Sequence, residues 1–170
     1  MRKKIPNEKK NHLVEKLVNV FDVDIPRGLG KDVILSWDEV KEMSESGIDF
    51  GAHTVTHPIL TRVSLDQARF EISQSKKDIE KRLDKPVDTF CYPNGKSSDF
   101  NKNLMDLLKE IGFTCAVTTN PGPRPSKMNL YKLGRLETAW NQESFKFLVS
   151  GCYSDASNIL NHFRRSNVQY

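Results

Sequence analysis

Three short apolar runs, at residues 48–52, 89–92 and 113–119, alternate with segments whose apolar residues recur at helical spacing. Such alternation restricts a chain to an α/β architecture with parallel strands, because parallel neighbours need a crossover long enough to hold a helix. In open parallel sheets ligands gather beyond the C-terminal ends of the strands. The loops that follow these runs are therefore where chemistry is expected.

The helices carry their own punctuation. Leu13, Val14, Leu17, Val18 and Phe21 predict a first helix, and residues 26–31, with Gly28 and Gly30, break it. Ser36 with Glu39 has capping-box spacing, Val40 and Met43 give a short apolar face, and Gly47 suits a C-terminus. Ser64 with Gln67 repeats the N-terminal signal before a long charged helix, whose stripe of Leu65, Ala68, Ile72, Ile79 and Leu83 ends ahead of Pro86. Leu104, Leu107, Leu108 and Ile111 predict another helix, stopped by Gly112. The stretch 120–125, with three prolines, can only be loop. A fourth strand is expected over 131–137, and helices over 142–150 and 155–165 close the chain.

Composition narrows the function classes. With 170 residues, 37% hydrophobic and 28% charged, the chain has the make-up of one globular domain. No apolar run approaches the ~20 residues of a membrane span, and the Met1-Arg2-Lys3-Lys4 start leads into polar residues rather than a signal-peptide core. The net charge of +4 is spread out except at Lys3-Lys4, Lys9-Lys10 and Arg164-Arg165. No helix-turn-helix, zinc-finger or RNP-like pattern accompanies these clusters, so nucleic acid is not an expected partner. Cys91, Cys115 and Cys152 are odd in number and far apart, against both a disulfide framework and a thiolate zinc site.

Two of the four histidines fall in the loop after the first apolar run, Gly51-Ala52-His53-Thr54-Val55-Thr56-His57-Pro58. Imidazole nitrogens ligate zinc and similar ions, and three intervening residues let both rings converge on one ion where the backbone turns. A zincin would need Glu after the first histidine and an unbroken helix, whereas Thr54 fills that place and Pro58 discourages a helix through His57. The spacing alone equally fits one packed and one solvated histidine. The second loop, Phe90-Cys91-Tyr92-Pro93-Asn94-Gly95, runs from a strand into a turn. There Tyr92 either fills the core with its hydroxyl at the surface or lines a groove.

Together these loops carry a family resemblance. His53-Thr54-Val55-Thr56-His57-Pro58 is similar to the H-[ST]-x-x-H-P motif of NodB-type polysaccharide deacetylases, and Phe90 to Gly95 resembles their F-x-Y-P-x-G variant of R-x-P-Y. Residues 112–119 and Leu133-Gly134-Arg135-Leu136 resemble later strands of that domain. The likeness covers roughly 35–150, which divides the chain into an N-terminal helix and loop (1–34) and a partial NodB-like domain (35–170) of distorted (β/α) barrel type.

The resemblance implies His53 and His57 as ligands of a divalent metal, zinc first and cobalt or nickel as alternatives. It implies the Asn94 backbone N–H as an oxyanion donor and Tyr92 and Pro93 as substrate-binding. Cys91 stands where many members have an arginine, and is expected to be a small buried residue rather than a nucleophile. Arg135 is expected in a structural ion pair, Trp37 in the first turn of a helix, and Trp140 in a sugar groove or the core.

The first family motif, T-F-D-D-G, which supplies the base aspartate and the third metal ligand, does not occur in the sequence. Asp22 and Asp24 in Phe21-Asp22-Val23-Asp24 are the upstream echo, and His162 is a superficial match to the late histidine. The first barrel strands are accordingly expected to be missing, leaving residues 48–52 as an edge that the N-terminal helix, a second copy of the chain or another segment would cover. The expected activity is removal of N-acetyl groups from an N-acetylhexosamine polysaccharide, weak or absent in this chain alone. The alternative is a non-catalytic carbohydrate-binding or interaction module on the same fold.

Overall fold

The computed structural model describes residues 7–21, 33–120, 129–135 and 141–150. Helix α1 spans Asn7–Val20, but its apolar residues Leu13, Val14 and Leu17 are exposed rather than packed. Helix α2 (Trp37–Glu45) starts where expected: Ser36 Oγ accepts from the Glu39 N–H at 3.3 Å, and the Glu39 carboxylate accepts from the Ser36 N–H at 2.7 Å. Trp37 occupies its first turn, with the Arg82 guanidinium over the indole. Helix α3 (Leu65–Leu83) is capped by Ser64 and ends at Asp84 in the left-handed region.

Strand β1 (Thr89–Cys91) pairs in parallel with β2 (Cys115–Val117), in the register Thr89↔Cys115, Phe90↔Ala116 and Cys91↔Val117. Helix α4 (Lys102–Ile111) connects them, with Asn101 at its N-cap and Gly112 at its C-cap. Helix α5 spans Gln142–Val149. Among the described residues no helix is long and apolar enough to cross a membrane.

Two predicted strands are reduced to single bridges. Residues 48–52 contribute only Ala52, which pairs with Phe90 through Ala52 N–H to Thr89 C=O and Cys91 N–H to Ala52 C=O, both 2.9 Å. A ladder needs partners along its length, and among the described residues this segment meets only β1, at its tip. The strand expected over 131–137 is instead a 3₁₀ turn at Leu130–Lys132, followed by a bridge from Leu133 to Val117. The Asn129 side chain accepts from the Tyr131 N–H at 3.0 Å and so diverts the backbone from extension. Positions 136–137 lie outside the described residues, as do Asp22, Asp24, Gly28, Gly30, the triple-proline loop, Trp140, Cys152, His162 and the predicted helix 155–165.

The core lies between this small sheet and the faces of α3 and α4. Ala68 and Ile72 from α3 and Leu104, Leu107 and Leu108 from α4 are buried with Phe90 and Phe113. The Phe90 ring meets Tyr92 and Phe113 edge-on, each at 5.4 Å between centroids. This packing fixes the strands, and with them the loops at their C-terminal ends.

Candidate metal and catalytic site

Four chain segments deliver polar groups to the same end of the sheet. The histidine loop follows Ala52, the Pro93-Asn94-Gly95 turn follows β1, Thr118 and Thr119 follow β2, and Arg135 follows the Leu133 bridge. The His53 and His57 rings stand edge to face, 4.9 Å apart between centroids. They converge because residues 53–57 form no helix and the backbone turns at Thr54 (φ 67°) and His57 (φ 56°). His53 Nδ1 lies 2.7 Å from the Cys91 carbonyl oxygen. That oxygen can only accept, so Nδ1 carries the proton, and in the neutral ring Nε2 keeps its lone pair. A ring held in this way suits a zinc ligand. Among the described residues no third His, Cys, Asp or Glu completes a cluster with the pair.

Helix α3 holds the loop from beneath. Glu71 is 1% exposed, and its Oε2 accepts from the backbone N–H groups of Val55 and Thr56, both at 2.8 Å. Its Oε1 accepts from the Thr56 hydroxyl at 2.5 Å and from the Gln67 amide at 3.2 Å. Burial alone would raise this carboxyl's pKa, but the hydrogen bonds from Thr56, Val55 and Gln67 outweigh it and leave the pKa below the usual value. One turn on, Ser75 Oγ accepts from the His53 N–H at 3.3 Å. Sequence reading missed both residues, although Glu71 follows Ala68 by three positions and so falls on the apolar stripe where a charge is out of place.

The β1 turn is equally constrained. Asn94 adopts φ 60°, and its carbonyl accepts from the Thr119 hydroxyl at 2.6 Å. Gly95 (φ 67°) sits where a Cβ would come within 2.8 Å of the Thr119 backbone nitrogen, so only glycine allows this close approach. Gly95 donates to the Pro93 carbonyl and accepts from the Thr119 N–H. The Asn94 side is exposed, and its N–H has no protein acceptor among the described residues.

Tyr92 and Pro93, expected to contact substrate, are buried instead. Tyr92 is 1% exposed, stacks on Phe100 and donates its hydroxyl to the Tyr131 carbonyl at 2.9 Å; burial pushes its phenol well above the ordinary range. A ring already enclosed and hydrogen-bonded has no face left for a sugar, so both residues support the turn from below. Cys91 is a half-buried free thiol whose pKa burial raises against the opposing pull of Arg135, which fits a small packing residue better than a nucleophile. Arg135, expected in an ion pair, donates from Nε to the Thr118 carbonyl at 2.9 Å.

Comparison with known proteins gives the family of the chain. The Bacillus subtilis (strain 168) protein YxkH, named as a polysaccharide deacetylase, is 26% identical over 115 residues, covering 68% of this chain and 40% of YxkH. Among solved structures, the Streptococcus pyogenes deacetylase PplD in complex with acetate superposes with a TM-score of 0.57 at 26% identity, over 74% of this chain and 57% of PplD. The Bacillus cereus polysaccharide deacetylase BC0361 gives a TM-score of 0.52 at 31% identity, over 60% of this chain and 32% of BC0361. The chain thus spans less than two thirds of the length of these relatives. Residues 10–116 match the family model for polysaccharide deacetylase, and the chain belongs to that family.

Proposed function

We propose that this chain provides the metal-binding histidines and the oxyanion loop of a hydrolase that removes N-acetyl groups from an N-acetylhexosamine polysaccharide. The observation that carries the reading is the His53–His57 pair, with rings 4.9 Å apart and His53 oriented by the Cys91 carbonyl. The donor set fits a borderline divalent ion, zinc first and cobalt or nickel as alternatives, held through His53 and His57. When bound, such an ion supplies Lewis-acid polarisation of the acetamide carbonyl and acidifies the attacking water.

The chain's own residues supply the remainder. His53 and His57 fix the position at which the acetamide is met. The Asn94 N–H, at the tip of a turn tied to Thr119, donates to the oxygen that becomes negative as the carbonyl is attacked. The acetate in the PplD structure is the acid that such a hydrolysis releases. Among the described residues a general base is the missing part. No carboxylate among the described residues joins the histidines, and a positioned base typically contributes ~10²–10⁴ in rate. On this reading residues 1–170 alone are expected to turn over little or no substrate and to bind zinc weakly.

The test is calorimetry with zinc on metal-free protein, with His57→Ala as control, alongside acetate release from chitooligosaccharides. The assay compares residues 1–170, His57→Ala and a version extended upstream through any T-F-D-D-G segment. Zinc binding that His57→Ala abolishes, with turnover only in the extended version, is the expected result. Equal tight zinc binding by both 170-residue proteins would place the ligands elsewhere and end the reading. Inactivity of the extended version as well would favour a non-catalytic carbohydrate-binding module, the reading that the lack of a third ligand among the described residues supports.

A further inference from the structure

We infer that Glu71 is a positioning residue for the histidine pair: acting through Val55 and Thr56, its buried carboxylate sets the distance and angle between the His53 and His57 rings. The inference deepens the metal-binding reading above and rests on it for its purpose, but not for its geometry.

Three observations converge. Glu71 is almost fully enclosed, yet among the described residues it has no cation within ion-pair distance. A buried carboxylate in that situation is costly, and an apolar residue would complete the stripe with Ala68 and Ile72. Three of its four hydrogen bonds go to Val55 and Thr56, two of the three residues between the histidines. Finally, the loop holds two non-glycine residues, Thr54 and His57, at positive φ. This backbone state is unfavourable for side chains with a Cβ and persists only where surrounding contacts impose it.

The two histidines are not anchored alike. His53 has its own ties, from Nδ1 to Cys91 and from its N–H to Ser75. For His57, by contrast, the nearest upstream restraint is the Thr56 backbone and hydroxyl on Glu71. Releasing Glu71 therefore frees the Val55-Thr56 segment, lets Thr54 and His57 relax towards negative φ, and swings the His57 ring away while His53 stays in place. A carboxylate that merely filled space or stabilised the helix would not move one ring relative to the other.

The experiment uses metal-free 170-residue protein and the variants Glu71→Ala, Glu71→Gln and Thr56→Val. The last removes one donor at an exposed position and leaves the core untouched. Ring-to-ring nuclear Overhauser effects between His53 and His57, and the Nδ1-protonated signature of His53, are read by nuclear magnetic resonance. Zinc affinity is read by calorimetry. Glu71→Ala is expected to lose the ring-to-ring contacts, keep the His53 signature and bind zinc about tenfold or more weakly, in the range of other partners that orient metal ligands. Glu71→Gln and Thr56→Val should fall between it and the parent. Unchanged ring contacts and unchanged zinc affinity in Glu71→Ala would overturn the inference, whatever its melting temperature. Should that variant not fold, unchanged values in both Glu71→Gln and Thr56→Val would do so. If the parent does not bind zinc, or His57→Ala binds it as well, the metal-binding reading fails, and the metal-free ring contacts decide the role of Glu71.

Discussion

Glu71 also makes the stability of the protein depend on acid in a specific way. Its folded pKa lies below the ordinary carboxyl value of 4.5, because hydrogen bonds from Thr56, Val55 and Gln67 override the opposing effect of burial. A group whose pKa is depressed by folding contributes stability that is fully present above the unfolded value and is lost as pH falls through the folded one. Replacing it by glutamine keeps the shape and an acceptor for the Val55 and Thr56 N–H groups but removes the charge. The two backbone bonds then drop from charge-assisted to neutral strength, a loss of ~1 kcal/mol apiece. The glutamine NH2 replaces the oxygen that accepts from the Thr56 hydroxyl and the Gln67 amide, costing about another 1 kcal/mol, and relief from burying a charge returns part of it, leaving a net ~2 kcal/mol. For a chain of this size that corresponds to a melting temperature lower by about 4–8 °C. Thermal and urea unfolding of the parent and Glu71→Gln, followed from neutral pH downward, should show this gap at neutral pH. It should narrow below pH 4.5 as the parent loses what the variant never had. A gap that stays constant across the series, or none at neutral pH, would refute the reasoning.

Other substitutions test the turn that carries Asn94. Gly95→Ala should destabilise the protein by ~2 kcal/mol or more, since it adds a left-handed alanine and a backbone clash with Thr119. Gly47→Ala, with φ 92° and nothing within 4 Å of its Cβ, should cost less in the same denaturant titration. Tyr92→Phe strips the Tyr131 carbonyl of its buried donor and should cost about 1–2 kcal/mol by urea unfolding, with the fold retained.

The contrast between what the sequence disclosed and what it hid follows the range of the interactions involved. Helices α2, α3 and α4 were legible because their ends are set by residues a few positions apart: Ser36 with Glu39, Ser64 with Gln67, and Gly112 at φ 97°. The parallel α/β order was legible for the same reason, since it follows from where helices interrupt apolar runs. Strand lengths were not, because the extent of pairing is decided by the neighbour. Residues 48–52 have the pattern of a strand but pair only at Ala52, and Leu130–Lys132 turn because Asn129 captures the Tyr131 N–H. The apolar face of α1 predicted the helix, while its exposure at Leu13, Val14 and Leu17 is a tertiary fact that periodicity does not contain.

At the site the same division holds, and it explains why the motif alone underdetermines the chemistry. The spacing of His53 and His57 is local, but their convergence depends on positive φ at His57 and at Thr54, a region uncommon for any residue but glycine and strongly disfavoured for a β-branched threonine. Nothing within residues 53–57 rewards that backbone. The compensation comes from outside the motif: the Cys91 carbonyl on β1 fixes one ring, and Glu71 and Ser75 on α3 fix the loop between and before the rings. Two protein ligands bind an ion appreciably only if little ordering remains to be done on binding. The long helix after the motif thus does more than return the chain to the sheet; it holds the histidine loop in a conformation that its own sequence disfavours.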